Sequence, residues 1–381
     1  MGILLMNIGN FALPEGAFFN PHAVAVAGPA DMAIWLAEFV LVDGKMRNIF
    51  TMLFGAGILL LRDRAVASGM DDGRLHTRRL AVLGLFGLAH FYLLWTGDIL
   101  FQYAVIGTPM LFFADRRPAF LLGLALLCLT AHFLLSLSVL HGIAAMRSDP
   151  AAWRAMVTML GSVDPSAIAA DIRQMQGSYA VTLHHRIVAD GHMPFVTLFV
   201  TGLETAGMML LGMALFRTGF LQGRWSRGHY AVVALTGYGI GLPVMLTLAA
   251  RTSANDFDPV VAFGAATVWS LPARPLVALA HVAVAIVWAG DGNGPVRRRI
   301  AAAGRAAFTN YLGTTLVMTT LFYGYGGGLY GRLDRLALLG IVVCGWAVML
   351  LWSAPWLSRH NHGPLEWLWR RLARPPAVTG S

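Results

Sequence analysis

Apolar runs alternate with short arginine-rich stretches along most of the chain. Leu80 to Trp95, Ala119 to Leu140, Val196 to Phe216, Tyr230 to Ala250, Pro275 to Gly290 and Leu336 to Trp352 are nearly free of charge. A helix needs ~20 such residues to cross ~30 Å of hydrocarbon. The pattern predicts an all-α fold, a polytopic transmembrane helix bundle of about ten spans. These lie near residues 1–13, 45–61, 80–96, 99–114, 118–142, 193–216, 229–250, 275–290, 300–323 and 334–354, in a single integral membrane domain covering 1–381. Residues 143–192 form a connection too long to lack structure of its own. Trp153, Met156 and Leu160 share one helical face, and Ile168, Ile172, Met175 and Tyr179 share another. Two amphipathic helices on the outer face follow, with a third over Asp31 to Val42. A cytoplasmic tail over about 355–381 carries Trp367 and Trp369 beside arginines, an interfacial anchor.

Composition agrees: 57% of residues are hydrophobic and 12% charged, against ~25% charged in an average soluble domain. A net charge of +9 in a soluble protein would suggest nucleic acid as a partner. Here most of the arginine sits at span ends, where it sets topology, and nucleic acid is set aside. With the start inside, the inner loops and tail hold 17 of the 28 basic residues, the longer outer connections hold ten, and Arg305 falls within a span. That asymmetry predicts a multi-pass protein of the bacterial inner membrane with both termini cytoplasmic and lipids as its surroundings. Cys128 and Cys344 both fall in apolar runs and make no disulfide framework. The first span, from Met1 to Ala12, reaches only ~18 Å before Pro14, so the native start is expected further upstream.

Polar groups inside spans are costly and are therefore site candidates. His90 lies seven residues before Gly97, with Asn7 at similar depth. Asp98 closes the third span, Glu204 sits in the outer half of the sixth, and Lys45 with Arg47 opens the second. All are expected to border one outward cavity, with His90 as a base oriented by Asn7, Asp98 or Glu204. His90 with Asp98 requires the chain to turn back at Gly97, because helix rise alone separates them by ~12 Å. Against this, a bundle histidine also serves simply as an interhelical hydrogen-bond partner. Lys45 is the only lysine beside 27 arginines, which is either chance or a need for a compact ammonium. Arg305, followed by Asn310 and Tyr311, marks a basic inner mouth suited to an anionic ligand or to lipid phosphates. The glycine-rich stretch 324–331 lacks the lysine of a phosphate loop and predicts a tight turn. His184-His185 and His360-Asn361-His362 lack metal spacing, and no metal is expected.

These residues resemble the bacterial YeiB-type integral membrane family, a domain of unknown function (DUF418). The likeness rests on Gly2 to Ile8, Leu13-Pro14, Asn20-Pro21, Lys45, Leu53 to Gly57, His90 with Trp95 and Gly97 to Leu100, and Met208 to Gly212. Gly304-Arg305 with Thr309-Asn310-Tyr311, Phe322-Tyr323 and Gly363 to Arg370 complete it. More distantly the pattern is similar to transmembrane acyltransferases such as the heparan-alpha-glucosaminide N-acetyltransferase. That resemblance implies acyl transfer from cytosolic acyl-CoA, acetyl-CoA for example, to a small-molecule or glycan acceptor on the far side or on lipid. In that reading His90 is the base, Asn7 the oxyanion donor, Asp98 or Glu204 its orienter, and Lys45 and Arg47 receive the acceptor; His22 ranks below His90. A transporter of a small anionic solute, a non-enzymatic membrane protein and assembly as a homodimer stay open.

Overall fold

The computed structural model describes residues 1–67, 72–290 and 294–373; Arg374 and the rest of the expected tail lie outside them. Helices make up most of the described chain, and no strand occurs among these residues. The chain opens with α1 (Gly2–Ala12), α2 (Asp31–Leu41), α3 (Lys45–Ala67), α4 (Asp72–Leu93), α5 (Leu100–Gly107) and α6 (Pro118–Ala145). Three short helices follow, α7 (Pro150–Met159), α8 (Pro165–Met175) and α9 (Tyr179–Val188), then α10 (Met193–Arg217) and α11 (Arg227–Ala254). The last part holds α12 (Pro259–Gly264), α13 (Ala273–Ala289), α14 (Pro295–Arg305), α15 (Ala307–Phe322), α16 (Arg335–Arg359) and α17 (Pro364–Ala373).

Four of these helices, α6, α10, α11 and α16, are long and apolar enough to cross a bilayer, or five if α12 and α13 are taken as one broken span. Ten were expected, and the shortfall has local causes. α1 has only 11 residues, and α3 is long but carries Lys45, Arg47, Arg62, Asp63 and Arg64. The fourth expected span is eight residues of α5 followed by a tight turn over Pro109–Phe113. The ninth is split at Ala306 between α14 and α15. The eighth gains a preceding half, because α12 and a π-type turn over Ala265–Trp269 meet α13 at a 54° bend.

Close crossings are set by glycines. A Cβ on Gly55 of α3 would collide with the Met209 carbonyl of α10, and one on Gly212 would collide with the Met52 carbonyl of α3. Each helix offers a bare backbone to the other, so their axes approach as they do where small residues replace the hydrophobic drive between membrane helices. A second core joins α1, α15 and α16 through Ile8, Phe11, Phe322 and Val342, with Phe11 stacked on Trp95 at 4.0 Å.

α7, α8 and α9 form a lid at one end of the bundle. Two amphipathic helices were expected there; the chain breaks after Met175, so Tyr179 begins a third helix instead of continuing the second. The lid is pinned by Asn20 Nδ2 donating to the Gly161 carbonyl at 3.2 Å and Tyr179 Oη donating to the Leu93 carbonyl at 2.9 Å. Gln176 Nε2 also donates to the Tyr330 carbonyl at 2.9 Å, and Gly324 packs so near Gln176 that no side chain fits. The glycine-rich 324–331 stretch is therefore the lid's seat.

At the opposite end α17 locks onto α15. Glu366 Oε1 accepts the Phe308 and Thr309 backbone N–H groups at 2.8 and 3.0 Å, and the Leu365 N–H donates to Thr309 Oγ1 at 3.0 Å. Each helix start is thus capped by a side chain of the other, answering donors that a helix start leaves unpaired. Trp369 Nε1 donates to the Arg79 carbonyl at 2.8 Å, while Trp367 faces outward.

Candidate functional site

Helix α4 ends just past His90, and the chain folds back through Gly97 so that Asp98 returns beside it. His90 Nδ1 lies 2.9 Å from Asp98 Oδ1, and His90 Nε2 lies 3.0 Å from Thr315 Oγ1 on α15. Imidazole and carboxylate are almost fully buried, with side chains 1% and 2% exposed. Asp98 Oδ2 accepts the Phe101 N–H at 2.9 Å, at the start of α5. A carboxylate there accepts from Nδ1–H, which leaves Nε2 with its lone pair toward Thr315. Tyr311 lies beside the ring at 5.2 Å and donates its hydroxyl to the Gly97 carbonyl at 3.3 Å, bracing the fold-back.

Thr315 carries this relay to a cavity. A space of about 340 Å³ lies between α1, α3, α14, α15 and α16, mostly apolar, with Asn7, Asn310, Tyr311, Thr314 and Thr315 as its polar wall. Leu53, Ile300 and Gly304 are exposed lining residues and mark the open end. His90 stands behind Thr315 and is not itself part of the wall. Asn7 is buried. Asn310 is fully engaged: Nδ2 donates to the Ala303 carbonyl at 3.0 Å and Oδ1 accepts from Trp352 Nε1 at 2.9 Å. It holds the break between α14 and α15. Arg305 ends α14 exposed, near the open end and outside the lining.

Lys45, Arg47 and Glu204 lie outside this lining. On α3 the helical period sends Met46, Ile49, Phe50 and Leu53 to the cavity, and Lys45, Asn48, Met52 and Gly55 to another face. Arg47 pairs directly with Glu204. Arg274 Nη1 lies 3.8 Å and His132 Nε2 3.7 Å from the same carboxylate. Arg274, at the start of α13, also donates to the Ala266 carbonyl across the bend. Lys45 Nζ donates to the Phe39 carbonyl at 2.5 Å and is fully buried. Buried opposite charges are tolerable in such packing only when paired. The orienter of His90 is thus Asp98, and Glu204 serves a separate charge cluster. His22 is exposed and touches the edge of Phe257 at 5.3 Å.

Sequence reading passed over Thr315, His132, Arg274 and Glu366. Arg274, one residue ahead of an apolar run, and His132, inside one, were visible signals of the kind that singled out His90. Thr315 was not, because helix threonines commonly satisfy their hydroxyl on the preceding turn.

The profile described as "Protein of unknown function (DUF418)" matches residues 215–375. The Escherichia coli (strain K12) protein described as "Uncharacterized protein YeiB" is 32% identical over 390 residues, covering 100% of this chain and 95% of that protein. "Uncharacterized protein YxaH" of Bacillus subtilis (strain 168) is 30% identical, covering 97% of this chain and 90% of its own length. No solved structure matches. Likeness of that extent places the chain in the YeiB-type DUF418 family of bacterial membrane proteins.

Proposed function

We propose that the chain is a membrane-embedded acyltransferase that takes an acyl group from acyl-CoA and passes it to a hydroxyl or amine. The observation that carries this reading is the Asp98–His90–Thr315 relay ending on the wall of an apolar cavity that also holds Asn7. Acyl transfer needs a base for the attacking group and a donor for the developing oxyanion. His90, held in one tautomer by Asp98, supplies the first, and the Asn7 amide the second. The open end lies beside Arg297, Arg298, Arg299 and Arg305, a basic rim suited to the phosphates of the acyl-CoA. In this reading the rim faces the cytoplasm, both termini lie there, and the lid faces outward. A reporter fused after residue 373 that reads as external would overturn that orientation.

The test is release of CoA from labelled acetyl-CoA by purified protein in lipid, with a membrane extract as acceptor pool. His90→Ala is expected to lower the rate by about 10²- to 10⁴-fold. Transport of a small anion is the second reading, favoured by one observation. The bend between α12 and α13 sets Arg274 beside Arg47 and Glu204, and interrupted helices with buried charge are where transporters hold solutes. Solute flux into liposomes that is lost in Glu204→Gln, with no CoA release, would select it.

A further inference from the structure

Thr315 differs from Thr320 of the same helix. Thr320 Oγ1 donates to the Leu316 carbonyl at 2.7 Å, an ordinary back-bond, whereas Thr315 Oγ1 lies 3.3 Å from the Tyr311 carbonyl and 3.0 Å from His90 Nε2. One hydroxyl has one proton. With Nδ1–H committed to Asp98, Nε2 of the neutral ring is an acceptor, so the Thr315 hydroxyl has the imidazole at 3.0 Å as a second acceptor for its proton beside the Tyr311 carbonyl. Carboxylate, imidazole and hydroxyl then stand in the order that activates a hydroxyl nucleophile, recognised by geometry and not by chain position. Thr315 lines the cavity and His90 does not. A substrate in the cavity meets Thr315 before His90.

We infer that Thr315 is the nucleophile and that the acyl group rests on it as an ester between donor and acceptor. This rests on the acyl-transfer reading and adds a covalent step to it. Thr315 Oγ attacks the thioester carbonyl carbon while its proton passes to His90 Nε2, and the Asn7 amide donates to the oxyanion. The C–S bond breaks, the imidazolium returns that proton to the leaving thiolate, and acyl-Thr315 and free CoA thiol result. The acceptor hydroxyl or amine then gives its proton to Nε2 as it attacks the ester carbonyl. The C–Oγ bond breaks, Oγ takes the proton, and the resting relay is restored.

The experiment is isotope exchange without acceptor: full-length protein in nanodiscs, unlabelled acetyl-CoA and labelled CoA, followed by acid quench and peptide mass analysis. The expected result is label appearing in acetyl-CoA and one acetyl group on the peptide containing Thr315. Thr315→Val is expected to lose exchange by at least about 10³-fold. Thr315→Ser, which keeps the hydroxyl, is expected to exchange well above the Thr315→Val level, and an unchanged circular dichroism spectrum of both variants controls for folding. Acetyl transfer to the acceptor pool at the wild-type rate in Thr315→Val, transfer by the wild type without exchange, or acetyl found on another residue would overturn the covalent role and leave acyl transfer standing. No CoA release by the wild type with any acceptor removes both.

Discussion

His90 draws its capacity from two neighbours far apart in sequence. Asp98 fixes the tautomer and Thr315 occupies the free nitrogen, so neither can be changed without changing the ring. Asp98→Asn keeps the shape but offers an amide that stabilises the wrong tautomer. CoA release is expected to fall by roughly 10⁴-fold, with an unchanged helical circular dichroism spectrum; a fall of only a few-fold would sink the relay. His90 and Asn7 were legible in the sequence because polar atoms in apolar runs are costly. Their mutual arrangement was not, because it depends on a chain reversal at Gly97 and on a helix more than two hundred residues away.

Helices are held here by what other helices lend them. Glu366 of α17 accepts two N–H groups at the start of α15, the helix that carries Thr315. Removing it in Glu366→Ala is expected to cost about 1 kcal/mol in stability, read as a lower unfolding temperature in detergent. An unchanged midpoint would show that the cap adds nothing. At the α3–α10 crossing there is no room for a side chain, and Gly55→Val is expected to abolish monodisperse protein in size-exclusion chromatography. Recovery of a wild-type elution profile would contradict the crossing. Uninterrupted helices such as α6 and α10 were foreseen from length and apolarity. The break at Ala306 was not, since α14 and α15 read as one run and are separated by contacts from Glu366, Trp352 and Ser353.

The molecule as a whole has two differently built ends: a basic one at the open end of the cavity and a lid whose docking involves carboxylates. Asp171 accepts from the Glu15 backbone N–H and from Tyr330 Oη, each at 3.0 Å. Burial raises Asp171 above its ordinary range, outweighing those hydrogen bonds and His185. It raises Glu15 as well, aided by repulsion from Asp171 and Asp190 and opposed by His185. Folded values above unfolded ones mean docking is fully stabilised below the ordinary carboxylate range and loses that stability as pH rises through the raised values. Hydrogen-exchange protection of residues 150–190 is expected to fall as pH rises above the ordinary carboxylate range of about pH 4; a rise would reverse the sign. Membrane residence, an all-helical architecture and the polar residues available for a site followed from the chain alone, because a bilayer penalises charge and unpaired backbone wherever they fall. Which of those residues face one another was settled only by packing. Arg47 went to a charge cluster with Glu204 and Lys45 to the Phe39 carbonyl, while Asp98 and Thr315 came to His90, because helical period, glycine contacts and chain reversals are set by partners distant in sequence.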